Sequence, residues 1–214
     1  MCEMRFSPTG RKRPPGEARD PAQPDPPLAP LTTVRVSAAA ATAARSLGRR
    51  DTDFSFNRVF LPSLVIDHTE LIFRQAGTCG QESFVVWAGT LAGGNGYVSS
   101  VVVPKLNVGA VHGEVDVDTT ARLLDALDER DLVPIAQIHT HPRTAFLSAT
   151  DAIRPLVAVP GFLSIVIPGF GFVDLADIGA WSAHEFQGAG NWHEMTADER
   201  PRRFIIDDSI IRVD

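Results

Sequence analysis

Two cysteines, Cys2 and Cys79, are all that the 214 residues contain. They lie far apart in the chain, which gives neither a disulfide framework nor a thiolate metal cluster, and a reducing cytoplasm fits such usage. Long apolar runs are missing too: none approaches the ~20 residues that a membrane-spanning helix needs. The opening "MCEMRFSPTGRKRPPG" is charged but lacks the apolar centre of a secretion signal. Basic charge is in deficit. Residues 1–50 hold nine basic and four acidic side chains, a local +5, which leaves −11 for the other 164 because the whole chain carries −6. A net acidic body gains nothing from a phosphate backbone, so composition argues against nucleic acid as the main partner. It suits a basic or neutral protein surface better.

Apolar residues make up 44% of the chain, enough to bury one real core. Half of the sixteen prolines fall within the first thirty residues, in stretches such as "RPPGEARDPAQPDPPLAP". Proline and charge with few large apolar side chains do not repay the entropy of folding, so residues 1–52 read as a disordered tail. A helix over "VSAAAATAARSLGRR" would rest on alanine propensity alone. The folded domain is placed at 53–214. Within it, Leu64, Val65, His68, Leu71 and Ile72 form a helical stripe, with Gly77 at the C-terminal cap. "SFVVWAGTL" and "YVSSVVV" flank the glycine-rich "AGGNG" and predict a hairpin. "VDTTARLLDALDERDL" predicts an amphipathic helix with Asp118 as N-cap and Leu123, Leu124 and Leu127 inward. "VPIAQIH" reads as a buried strand ending at His139. Ser148 opens a short helix that Pro155 must kink or end. "FLSIVIP" is a further strand, "GAWSAHEF" with "NWHEM" a hairpin, and "RFIIDDSIIRVD" a last strand or two. The sum is an α/β domain of the α+β kind: a mixed sheet, its strands joined mostly in hairpins and flanked by helices.

One short segment, "QIHTHPRTAFLSATD", gathers residues of metal chemistry. On an extended backbone alternate side chains share a face, so His139 and His141 can reach one ion, and Asp151 can return to them across a short loop. Two imidazoles and a carboxylate suit zinc and leave a fourth position for water, whose pKa zinc lowers to about 7. Taken singly, each feature has a plainer explanation. A histidine pair can be a polar strand end, and Ser148-x-x-Asp151 can be an N-cap box. Glu82, immediately before the uncharged strand "SFVVWAG", can be a solvent-exposed strand start or a general base.

Glutamate before an apolar strand, then His-x-His-Pro and Ser-x-x-Asp, resembles the signature of the JAB/MPN/JAMM zinc metalloproteases over roughly Phe54 to Met195. "SIVIPGF" and "GAWSAHEFQGAGNWHEM" resemble bacterial members more weakly. The resemblance implies an MPN/JAB1-like fold, zinc on His139, His141 and Asp151, Glu82 as the acid/base, and Ser148 as a hydrogen-bond donor to the oxyanion, with Pro142 stiffening the turn. It further implies hydrolysis of the amide at the C-terminal tail of a ubiquitin-like protein or its conjugates, with activating-enzyme-like and conjugating-enzyme-like partners in settings that include antiviral defence. The stretch Pro142 to Leu147 is one residue shorter than the family usually has. This alters the groove beside the metal while keeping the ligand types.

Other residues rank lower. His112 and Glu114 lie in a glycine-containing loop, Glu114 being a rival general base without rigid support. His184 and His193 flank a hairpin turn with a surface role expected, and His68 reads as a hydrogen-bonded core histidine. Cys79 lacks a basic neighbour in sequence to activate it. The alternatives to a peptidase are a DNA-associated JAB-like protein of the repair type and a metal-free MPN binding scaffold. Within the enzyme class, the rival is removal of a small group from a sulfur carrier.

Overall fold

The computed structural model describes residues 56–104 and 117–207. The expected tail, the alanine-rich helix, His112 and Glu114 lie outside them. Eight strands form one sheet: β1 (Arg58–Leu61), β2 (Phe84–Ala92), β3 (Asn95–Val102), β4 (Val133–Thr140), β5 (Leu163–Ile167), β6 (Ser182–Gly188), β7 (Asn191–Glu194) and β8 (Phe204–Ile206). The helices are α1 (Ser63–Gly77), α2 (Val117–Asp128), the five-residue α3 (Ala149–Ile153) and the short α4 (Arg200–Arg203). The strand order is β7-β6-β5-β4-β2-β3-β1-β8. The expected mixed sheet with flanking helices is observed. Its pairing is less hairpin-dominated than the sequence suggested, because β1 pairs in parallel with both β3 and β8, and β4 with β5. Among the described residues no helix is long and apolar enough to cross a membrane.

Both faces of the central strands are buried, and their alternation serves two cores. From β2, Val85 and Trp87 join the larger core with Ile138, Ile165 and α1 residues, whereas Val86 and Ala88 face Leu123 and Leu127 of α2. Such double burial explains why "VPIAQIH" and "LSIVI" are almost uninterrupted apolar runs. The hairpin turn falls at Gly93 and Gly94, both at positive φ, the backbone a two-residue turn between twisted strands requires.

Three local expectations need correction. The inward face of α1 is Val65, Ile66, Thr69 and Phe73, while Leu64 and Leu71 are exposed and His68 is only half-buried. Thr69 takes the core position because its hydroxyl donates to Val65 O (2.8 Å) and accepts the Trp87 indole N–H (2.9 Å), which ties α1 to the sheet. Gly77 is helical and buried instead of capping; Thr78 holds the cap position. Asp118 is the second residue of α2 instead of its N-cap. Leu123 and Leu127 are buried as expected, with Leu124 half-buried. The strand β1 and the helix α4 were not anticipated.

The end of the sheet that carries the site is braced by tight backbone packing. Gly169, Phe170 and Gly171 follow β5, all three at positive φ. A Cβ on Gly171 would lie 2.5 Å from Phe73 Cβ, and one on Gly77 would lie 2.8 Å from Phe170 O. Only the absence of those two side chains lets α1 approach this turn so closely.

Candidate metal centre

β4 delivers His139 with its flanks fully paired: Phe84 of β2 on one side and Val166 of β5 on the other. His141 lies one residue past the strand, yet its N–H donates to Ile167 O (2.8 Å) and its carbonyl accepts from Phe170 N–H (2.8 Å). The braced glycine turn thereby fixes the second histidine as firmly as the ladder fixes the first. Strand alternation puts both rings on one face, their centroids 5.0 Å apart.

Asp151 comes to them from α3. Ser148 is the N-cap: its Oγ accepts from Asp151 N–H (3.2 Å), and Asp151 Oδ2 accepts from Ser148 N–H (2.9 Å), a complete capping box. The same Oδ2 lies 3.4 Å from His139 Nε2 and 3.6 Å from His141 Nε2. Capping and approach to the imidazoles therefore use one oxygen, whose two lone pairs can serve both. Burial pushes the Asp151 carboxyl upward, but the His139 and His141 imidazoles and the Ser148 cap outweigh it and hold the group far below its ordinary 3.8.

These three side chains pass a test for a bound cation. One ligand atom from each lies within 4.8 Å of the others. His139 Nε2 is buried without a hydrogen-bond partner, and 3.4 Å to a carboxylate is too long for a good one. A buried polar atom left without a partner is uncommon and calls for an explanation such as an ion. Ligands at about 2.0–2.1 Å from a tetrahedral zinc are roughly 3.3 Å from one another, close to the two separations from Oδ2. The residues fit a metal of the zinc type, with two imidazoles and one carboxylate as ligands.

Glu82 is half-buried. Ser83 N–H donates to Thr140 Oγ1 (2.9 Å) and Thr140 N–H to Ser83 O (3.0 Å), so the pairing of Phe84 with His139 extends to Ser83 and Thr140, and Glu82 lies just beyond the end of this ladder, outside the group formed by His139, His141 and Asp151. Ser148 is half-buried beside Asp151, and because its oxygen already accepts one amide, its own proton remains to be donated elsewhere.

Two other described histidines lie outside the three-residue group. His184 is buried, against the surface role expected for it; its Nε2 is 2.7 Å from Ser182 Oγ. Burial, foremost, pushes its imidazole below the ordinary 6.5, opposed by the pull of Glu194. His193 is exposed and paired with Glu199. Sequence reasoning passed over Phe146, whose half-exposed ring packs edge-on against His141 with centroids 4.8 Å apart. It also passed over Gln137, although Gln137, His139 and His141 obey the same alternation.

No protein-family model matches the chain. It is similar to the probable metalloprotease y4jG of Sinorhizobium fredii (strain NBRC 101917 / NGR234), with 28% identity over 152 residues covering 69% of this chain and 93% of that protein. Among solved structures, protein DSY2949 from Desulfitobacterium hafniense is 20% identical and covers 72% of this chain and 95% of its own, at a TM-score of 0.49. A protein from Salinibacter ruber (strain DSM 13855) is 18% identical over 69% of this chain and 92% of its own, at a TM-score of 0.43.

Proposed function

We propose that the protein is a zinc-dependent peptidase or isopeptidase of the JAB/MPN/JAMM type. The single observation that carries this reading is the approach of Asp151 Oδ2 to both His139 Nε2 (3.4 Å) and His141 Nε2 (3.6 Å), with the His139 nitrogen buried and without a hydrogen bond. The likeness to a probable metalloprotease over most of both chains supports it. Zinc, when bound there, supplies a Lewis acid that brings the pKa of water to about 7 and polarises a carbonyl. The chain's own residues do the rest. Glu82, which immediately precedes the segment that pairs with the His139 strand, receives the proton from water and returns it to the leaving amine. Ser148, whose oxygen is already turned toward Asp151 N–H, directs its proton to the developing oxyanion, a contribution of about 3 kcal/mol to the barrier in comparable sites. Phe146 lines the approach to His141 with an apolar wall.

The substrate in this reading is the extended C-terminal tail of a ubiquitin-like protein or its conjugate, in a cytoplasmic system with activating-enzyme-like and conjugating-enzyme-like partners. Among the described residues β1 pairs with β3 only over Asn95–Tyr97, so the edge of β3 toward Val102 is left without a strand partner on that side. That end of β3 lies level with the start of β2 and hence with His139. An extended tail adding to this edge would run toward the metal ligands. The orphaned His139 nitrogen weighs against a metal-free scaffold, and the acidic body weighs against a DNA-associated role.

The test is cleavage of a ubiquitin-like fusion by zinc-loaded wild type and by Glu82→Gln. Hydrolysis by the wild type, abolished by a chelator and by the substitution, is the expected result. Full activity in Glu82→Gln would remove the assigned base.

A further inference from the structure

The helix that carries Asp151 cannot hold itself in place. Five residues are too few for a self-sustaining helix, and none of Ala149–Ile153 is buried. Its N-terminal end is capped locally by Ser148. Beyond Asp151, two contacts from distant strands fasten the chain. The Trp192 indole N–H, on β7, donates to Ala152 O at 3.0 Å and so satisfies a carbonyl at the open end of the helix. The ring of Trp192 is itself held edge-on against Phe186, centroids 5.0 Å apart. Farther along the chain, Gln137 Oε1 accepts from Leu156 N–H at 2.8 Å, while Gln137 Nε2 donates to Ser164 Oγ at 3.1 Å. Gln137 is 3% exposed and Ser164 is fully buried, so the bond between them is shielded from water and holds the Gln137 side chain in place.

We infer that Trp192 and Gln137 are positioning residues for the third metal ligand: they clamp the chain on the far side of Asp151 and thereby set where its carboxylate stands relative to His139 and His141. Gln137 does so from the strand that bears His139, two residues earlier and on the same face. One strand therefore supplies a ligand and fixes the chain that brings another. Trp192 acts from β7, through a hydrogen bond to the residue next to Asp151. The inference rests on the reading of His139, His141 and Asp151 as metal ligands. It adds that the affinity of the site depends on two side chains that touch neither metal nor substrate.

The experiment uses the full chain and zinc alone, measured by competition with a chromophoric chelator, with cobalt(II) absorption as a second readout of coordination. Trp192→Phe keeps an aromatic ring against Phe186 and removes the indole N–H donor. It is expected to weaken zinc binding by about 10–100-fold, as outer hydrogen-bond partners of metal ligands do, and to alter the cobalt d–d bands. The metal-free protein should lose no more than about 1 kcal/mol of stability, the typical worth of one hydrogen bond. Gln137→Met, which keeps the volume, should reproduce the weakened binding and serves as the measurement should W192F not fold. Wild-type zinc affinity and an unchanged cobalt spectrum in a folded variant would overturn the inference alone. A wild-type chain that takes up no zinc would overturn the metal reading, and this inference with it.

Discussion

Ser148 and Asp151 cap one another: each backbone amide donates to the other's side chain, at 2.9 and 3.2 Å, and the carboxylate oxygen used is the one facing both imidazoles. Serine thus orients a ligand while keeping its proton available. Ser148→Ala is expected to cost about 1 kcal/mol of stability through the lost cap. It should also lower kcat by something on the order of 100–1000-fold through the lost oxyanion donor. Denaturant unfolding and steady-state kinetics on the same preparation check both. A small kcat effect beside an intact stability effect would confine Ser148 to capping.

Acid should weaken the fold before the carboxylates titrate. His184 is buried against Ser182, and its imidazole is pushed below 6.5. The unfolded chain then binds the proton more readily than the folded one, so stability rises with pH through this window and falls as pH drops below about 6.5. His184→Gln removes that proton uptake. Unfolding free energies of the metal-free protein between pH 7 and 5 should decline less in H184Q than in the wild type. Equal slopes would contradict the assignment.

The glycine turn that holds His141 offers a structural test. Gly171 has φ +78°, and an added Cβ would meet Phe73 at 2.5 Å. Gly171→Ala combines left-handed strain with overpacking and should cost roughly 2–4 kcal/mol. A midpoint in urea within experimental error of the wild type would show that α1 does not brace this turn.

What could be read from the sequence was what local physics decides. The β4 run "VPIAQIH" has to be a buried strand, and its alternation puts His139 and His141 on one side. The Ser148–Asp151 box is complete within four residues, so the helix start was visible too. The inward face of α1 was misjudged because the key core residue is Thr69, a polar side chain that a hydrophobic period does not count. β1 escaped notice because four residues with one exposed end carry almost no pattern, and its pairings reach forward to Asn95–Tyr97 and Phe204–Ile206. The Trp192–Ala152 contact spans forty residues and two changes of strand direction, which no local signal encodes. Glu82 was visible as an oddity, a charge at the head of an apolar strand, but only the β2–β4 pairing brings the start of that strand beside His139.

The most direct test of the account is the zinc-binding isotherm of the purified full chain, repeated for His139→Ala, His141→Ala and Asp151→Ala. The account predicts one zinc per wild-type chain and loss of that site in each of the three variants. A wild-type chain without a stoichiometric site, or variants that bind zinc as the wild type does, would contradict it.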